Sequence, residues 1–162
     1  MMKMSLIKKG LAMTATFFAG LSFALAAPYA EGEAVTSFKA NDQHGAAFTL
    51  EPKSTKYLLI SHDMETGKKA NAALTALGKE YLPDKKAVYL ANIEGMPAVG
   101  RMFALPKMRK YSHRIILGED AGLIAKFPQQ QGKVSVLTLA GGKVRSIAYW
   151  TPGGEALDTF LK

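Results

Sequence analysis

Residues 61–69 read SHDMETGKK, nine residues that hold a histidine, two acids and two lysines. His62, Asp63 and Glu65 are the imidazole and carboxylate types that bind divalent cations, and folding could bring in His44 or His113. The spacing His-Asp-x-Glu is not a ligand signature, because adjacent residues of an extended chain point to opposite faces. The plainer use of Asp63, Glu65 and Thr66 is to cap and charge the start of a helix. The plainer use of His62 is a structural hydrogen bond. Ser61, His62 and Asp63 have the residue types of a hydrolase triad, but adjacency in sequence does not create its geometry.

The same stretch could hold an anion. Helix N–H groups at Thr66 to Lys68, with Lys68 and Lys69 beside them, would face it. A nucleotide P-loop is excluded, since His62 stands where its first glycine is required. Neither a nucleophile elbow nor a dinucleotide fingerprint is present. The chain has no cysteine, which removes thiol catalysis and leaves the core to hold the fold without disulfides.

Two other groups of residues carry potential chemistry. Four of the eight methionines, Met64, Met96, Met102 and Met108, lie beyond residue 26; their thioethers suit Cu(I), although core packing is the simpler expectation. Residues 101–114 carry Arg101, Lys107, Arg109, Lys110 and Arg114 with no acid, and Tyr111 and His113 lie among them. This run is either a docking patch for an anionic partner, phosphate ligand or membrane surface, or a solvated helix face.

The elements that must position these residues can be read from periodicity. Residues 57–60 are a continuous apolar run, the pattern of a buried central strand. Ala70, Ala73, Leu74, Leu77, Tyr81 and Leu82 then recur at helical spacing, which predicts a helix from the 61–69 turn to Pro83. Residues 38–50 read as a hairpin turning at 41–45, and 87–91 as a second buried strand. Pro97 opens a helix through about residue 108, kinked near Pro106. Strands follow at 114–117, 134–139 and 144–149, with a short helix or strand at 123–127. The AGGK turn makes the last two strands a hairpin. Thr151 and Pro152 predict a closing helix from about residue 154 to the C-terminus. This order implies an α/β domain with a central mixed sheet and helices on both faces.

Lys3, Lys8 and Lys9, an apolar stretch at 10–23 and the sequence Ala-Leu-Ala at 24–26 form an export signal with a cleavage site. The expectation is a signal peptide at 1–26 and a single periplasmic domain at 27–162, with no stable membrane anchor after cleavage. Removing 1–26 takes three lysines and no acids, so 18 basic groups face 13 acidic ones and the net charge falls from +8 to +5. Such a surface attracts anions loosely but falls short of a nucleic-acid binder.

The order of elements, together with FKANDQHGAAFTL, KYLLISHDMETGKKANAALTALGKEY, IILGEDAGLIAKF and QGKVSVLTLAGGKVRSIAYWTPGGEALDTFL, resembles the thioredoxin-like superfamily and its redoxin branch. In that resemblance Thr66 and Lys69 stand where the family's two cysteines belong, and Val134 stands where its cis-proline faces them. A threonine hydroxyl stays protonated and a lysine carries no electrons, so redox catalysis of the family type is excluded. A cis bond before a residue other than proline costs about 3 kcal/mol, so the Lys133–Val134 bond is expected to be trans. The resemblance implies an exported, non-redox protein without a cofactor. It would bind a protein, a peptide or a small anionic ligand at the vacated turn, through His62, Asp63, Glu65, Thr66, Lys69, Lys133 and Val134. The alternative is a metal-dependent enzyme or metal carrier using His62, Asp63 and Glu65. A third possibility is an envelope protein that docks through the basic run.

Overall fold

A computed structural model describes residues 27–162, so the expected signal peptide lies outside the described residues. Five strands form the central sheet: β3 (Tyr57–Ser61), β4 (Ala87–Asn92), β5 (Ile116–Gly118), β6 (Val134–Ala140) and β7 (Lys143–Trp150). Their spatial order is β5-β4-β3-β6-β7. The strand β3 runs parallel to β4 and antiparallel to β6, which makes the sheet mixed. A separate hairpin joins β1 (Lys39–Asn41) to β2 (Ala47–Thr49).

All five residues of β3 are buried, and their alternation divides the interior in two. Tyr57 and Leu59 point into one cluster with Tyr89, Ala91, Val136, Trp150 and Leu161. Leu58 and Ile60 point into the other with Leu90, Ile116, Leu137 and Val144. A strand covered on both faces has no solvent side, which is why its sequence is continuously apolar. Each fully buried Leu or Ile contributes about 2 kcal/mol of transfer free energy.

The first cluster is closed by α1 (Met64–Leu77), through Ala70 and Leu74, and by α3 (Ala98–Met108), through Met108. The second is covered by the β1–β2 hairpin and by the short α4 (Ala121–Ile124), whose Leu123 and Ile124 pack against it. Helices therefore lie on both faces, the long ones on one.

Three expected elements differ. The first helix stops at Leu77, not at Pro83, because Gly78 takes φ +91°, which a side chain disfavours, and its N–H bonds back to Leu74 and Thr75. Tyr81 and Leu82 belong instead to a separate single turn, α2 (Tyr81–Asp84). The closing helix from residue 154 is absent; among residues 151–162 only a 3-10 turn, Leu157–Thr159, forms. Gly153 at φ +84° and Gly154 weaken its start, and the indole N–H of Trp150 holds the Glu155 carbonyl at 2.9 Å. The strand expected at 114–117 is shifted to Ile116–Gly118. By contrast, the AGGK turn has Gly141 at φ +59° and Gly142 at φ +80°, the positive pair that a two-residue hairpin needs.

Candidate functional site

The turn between β3 and α1 is built by Asp63. Its side chain accepts from the Thr66 N–H and the Thr66 hydroxyl, both at 2.8 Å, and so caps α1. Burial pushes the Asp63 carboxyl up, but these two bonds, the Glu65 N–H and the neighbouring His62 outweigh it and hold it below the usual value. Thr66 is buried by this arrangement, while Glu65 and Lys69 form an exposed pair at 3.3 Å one helical turn apart. Such a pair contributes little in water.

His62 turns the other way, to β6. Its Nε2 lies 2.9 Å from the Ser135 hydroxyl, which itself donates to the Pro128 carbonyl. A carbonyl only accepts, so the serine proton is spent there and His62 must donate through Nε2. That leaves Nδ1 bare and buried, without a partner among the described residues. The contact has the opposite polarity to a catalytic dyad, in which the histidine accepts the serine proton. Burial, first, lowers the His62 pKa, with the Pro128 carbonyl and Asp63 opposing.

The three metal-donor candidates therefore face three different partners: Ser135, Thr66 and Lys69. Among the described residues no group of three or more His, Asp or Glu side chains could hold a metal ion. His44 is exposed on the hairpin turn. His113 is 1 % exposed, its ring stacked on Tyr111 at 5.4 Å and its Nε2 2.9 Å from Asn71 Oδ1. Lys133 is half-buried, and Val134 is 0 % exposed with its side chain in the first core cluster. No cis peptide occurs among the described residues, which makes the Lys133–Val134 bond trans.

The basic run is not one free patch. Arg101 donates to the Met96 and Ile93 carbonyls, which ties α3 to the loop before it, and pairs at 2.7 Å with Glu119, just after β5. Arg109 donates to the Gln43 carbonyl, and Arg114 to Asp42 and the Ala47 carbonyl, which fastens the β1–β2 hairpin. Among the described residues Lys107 and Lys110 make no such bond.

A cleft of about 250 Å³ opens on the β4 side of the turn, between α1 and α3. Ser61 and Ala91, at the ends of β3 and β4, form its floor; Met64, Gly67, Lys68 and Asn71 form one wall, and Gly100, Phe103, Ala104, Lys107 and Met108 the other. Of the residues expected at the vacated turn, only Asp63 lines it; Lys133 and Val134 lie on the opposite, β6 side. The methionines divide accordingly. Met108 is buried and Met96 half-buried, as core packing predicts, whereas Met64 is 51 % and Met102 70 % exposed. Phe103 and Val99 are each 65 % exposed, so the apolar lining continues onto the outer face of α3. Sequence reasoning missed this cleft. Its one signal was Val99, Met102 and Phe103 at i, i+3, i+4 beside the basic residues.

A scan against protein-family models finds no match, and neither does a comparison with curated proteins. Solved structures do match. A thio-disulfide isomerase from Thermus thermophilus aligns with a TM-score of 0.51 at 20 % identity, over 82 % of this chain and 94 % of that one. Peroxiredoxin Q from Xanthomonas campestris aligns at 0.52 and 16 %, over 80 % and 95 %. The peroxidoxin BcpB from Mycobacterium tuberculosis aligns at 0.51 and 14 %, over 75 % and 86 %. At such identities the likeness concerns the fold. The chain has the thioredoxin-like fold of these redox proteins, and it has no cysteine.

Proposed function

We propose that this chain is an exported, non-redox binding protein whose ligand seats in the cleft between α1 and α3, beside the vacated active-site turn. The observation that carries this reading is the cleft itself: concave, mostly apolar, placed at the ends of two central strands, and walled by Lys68 and Lys107. Ligand sites in open α/β sheets favour that position, and an apolar lining with a few polar groups is their usual make-up. The turn supplies shape and charge there, while its histidine serves the β6 side as a structural bond. Thiol–disulfide exchange and thiol-dependent peroxide reduction have no nucleophile in a chain without cysteine.

The test pairs two measurements on purified protein. Insulin reduction and peroxide consumption should stay at background, and a disulfide-reductase signal would overturn the non-redox part. A small-molecule library followed by backbone NMR should yield ligands that move Gly67, Asn71 and Gly100. Ala104→Trp, which fills the cleft from a half-buried position, should abolish those shifts. Ligands that moved only residues 131–134 would place binding on the β6 side instead. Export is tested separately: protein recovered from the periplasm should begin at Ala27, and an intact residue 1 would count against it.

A further inference from the structure

The cleft offers donors and few acceptors. Both oxygens of Asp63 are held by Thr66, the Asn71 oxygen faces His113, and the Asn92 oxygen accepts from the Glu94 N–H. What remains on the lining is the Asn71 amide N–H₂ and the Tyr111 hydroxyl, neither with a partner among the described residues, and two ammonium groups. Lys68 and Lys107 make no ion pair among the described residues, although Lys69 next to one of them does. A ligand amine would find one carboxylate, Asp63, already bonded through both oxygens and flanked by two lysines, whereas an oxyanion would find donors on both walls. Two lysines against the single Asp63 leave one net positive charge, which matches a monoanion. The rest of the lining is apolar, and it runs out over Phe103 to the exposed Val99 and Met102.

We propose that the cleft binds a small amphiphilic monocarboxylate, its carboxylate met by Lys68 and Lys107 and its apolar body lying against Met64, Met96 and Phe103. This inference rests on the reading that the cleft is the binding site, and it adds the chemical class of the occupant. The apolar body supplies most of the affinity through burial, and the lysines select the sign of the head group. A tail longer than the cleft extends along the outer face of α3, which gives a use to apolar side chains that face water otherwise.

The test uses purified protein with three ten-carbon probes kept below their micellar concentrations: decanoate, decanol and decyltrimethylammonium. Decanoate should bind most tightly and shift the amides of Gly67, Asn71 and Gly100. Lys68→Gln and Lys107→Gln should each weaken it about five-fold, the upper range for one exposed ion pair. Lys69→Gln, on α1, and Lys110→Gln, just past the end of α3, both outside the cleft, should leave it unchanged. Phe103→Asp, at a position 65 % exposed, should remove binding of all three probes. Equal binding of the three would overturn the carboxylate while leaving the cleft as a binding site. So would equal weakening by Lys110→Gln, which would indicate a diffuse field. Cleft amides that respond to no probe, even with Ala104 intact, would count against the cleft reading itself. Binding to phosphatidylglycerol vesicles with none to free decanoate would overturn the proposal in favour of a lipid surface.

Discussion

His113 is a base shut away from water. Asn71, Tyr111 and Tyr89 surround it, and no carboxylate is among these partners to favour its charged form. Burial lowers its pKa from 6.5 to about 4. The sign follows from linkage: the unfolded chain takes up a proton near pH 6.5 while the folded one resists until about 4. Stability is therefore intact above pH 6.5 and is lost as pH falls from there towards 4, by about 3 kcal/mol at most. His62, also lowered by burial, adds to the loss in the same direction. Asp42 and Asp63 are held below their ordinary 3.8, so their share is lost only at lower pH and leaves the histidine window distinct. Urea unfolding between pH 7 and 4 checks this, with His113→Gln as the comparison. The slope over that window should flatten in the variant, and an unchanged slope would mean that His113 titrates normally. None of this was legible in the sequence. A histidine among Arg, Lys and Tyr gives no sign of burial, and the residues that enclose it include Tyr89 and, 42 positions away, Asn71.

At the scale of elements, what could be read was whatever depends on neighbours along the chain. Asp63 as a cap, the apolar run at β3 and the Gly-Gly hairpin are local matters of hydrogen bonding, burial and φ, and all three formed as expected. The partners of the arginines were not legible for the opposite reason: what an arginine does depends on which carbonyls folding brings within reach. Arg114 spans two elements, donating to Asp42 at 3.0 Å and to the Ala47 carbonyl at 3.2 Å, with its guanidinium 5.3 Å from the Phe48 ring centre. Asp42 in turn accepts from the His44 and Ala46 N–H groups that shape the hairpin turn. Arg114→Ala should therefore cost about 1–2 kcal/mol, because Asp42 is buried and loses its partner. Hydrogen exchange locates the effect: amides of β1 and β2 should exchange faster while those of β3 and β6 follow only the global change. A uniform acceleration across the sheet would show that the arginine holds no particular element. Gly78 shows the limit of local reading, since Tyr81 and Leu82 continue the apolar periodicity of α1 past the residue whose backbone ends it.

For the molecule as a whole, the consequential misreading was the closing helix, because it concerned how the first core cluster is sealed. Leu157 and Leu161 are spaced for one helical face, and both are buried, yet the segment carries only a single 3-10 turn. Two glycines and a short length make helix nucleation costly here, so long-range bonds fix the segment instead. Tyr81 donates to Asp158 at 2.7 Å, and Tyr57 and Lys56 each donate to the Lys162 carbonyl at 2.7 Å. A tail without regular structure is ordinarily the first part of a domain to fray. This one places Leu161, fully buried, beneath the same sheet face that Leu59 and Val136 cover. Leu161→Ala should therefore lower stability by about 3 kcal/mol, as much as Leu59→Ala in the central strand. Chemical denaturation of both variants at neutral pH is the measurement. A loss below about 1 kcal/mol for Leu161→Ala, beside a full loss for Leu59→Ala, would mean that the tail detaches before the core opens. Matching losses would make residues 157–161 part of the cooperative unit, and the wall of the domain on that face would then be a single 3-10 turn held by long-range bonds where its sequence suggests a helix.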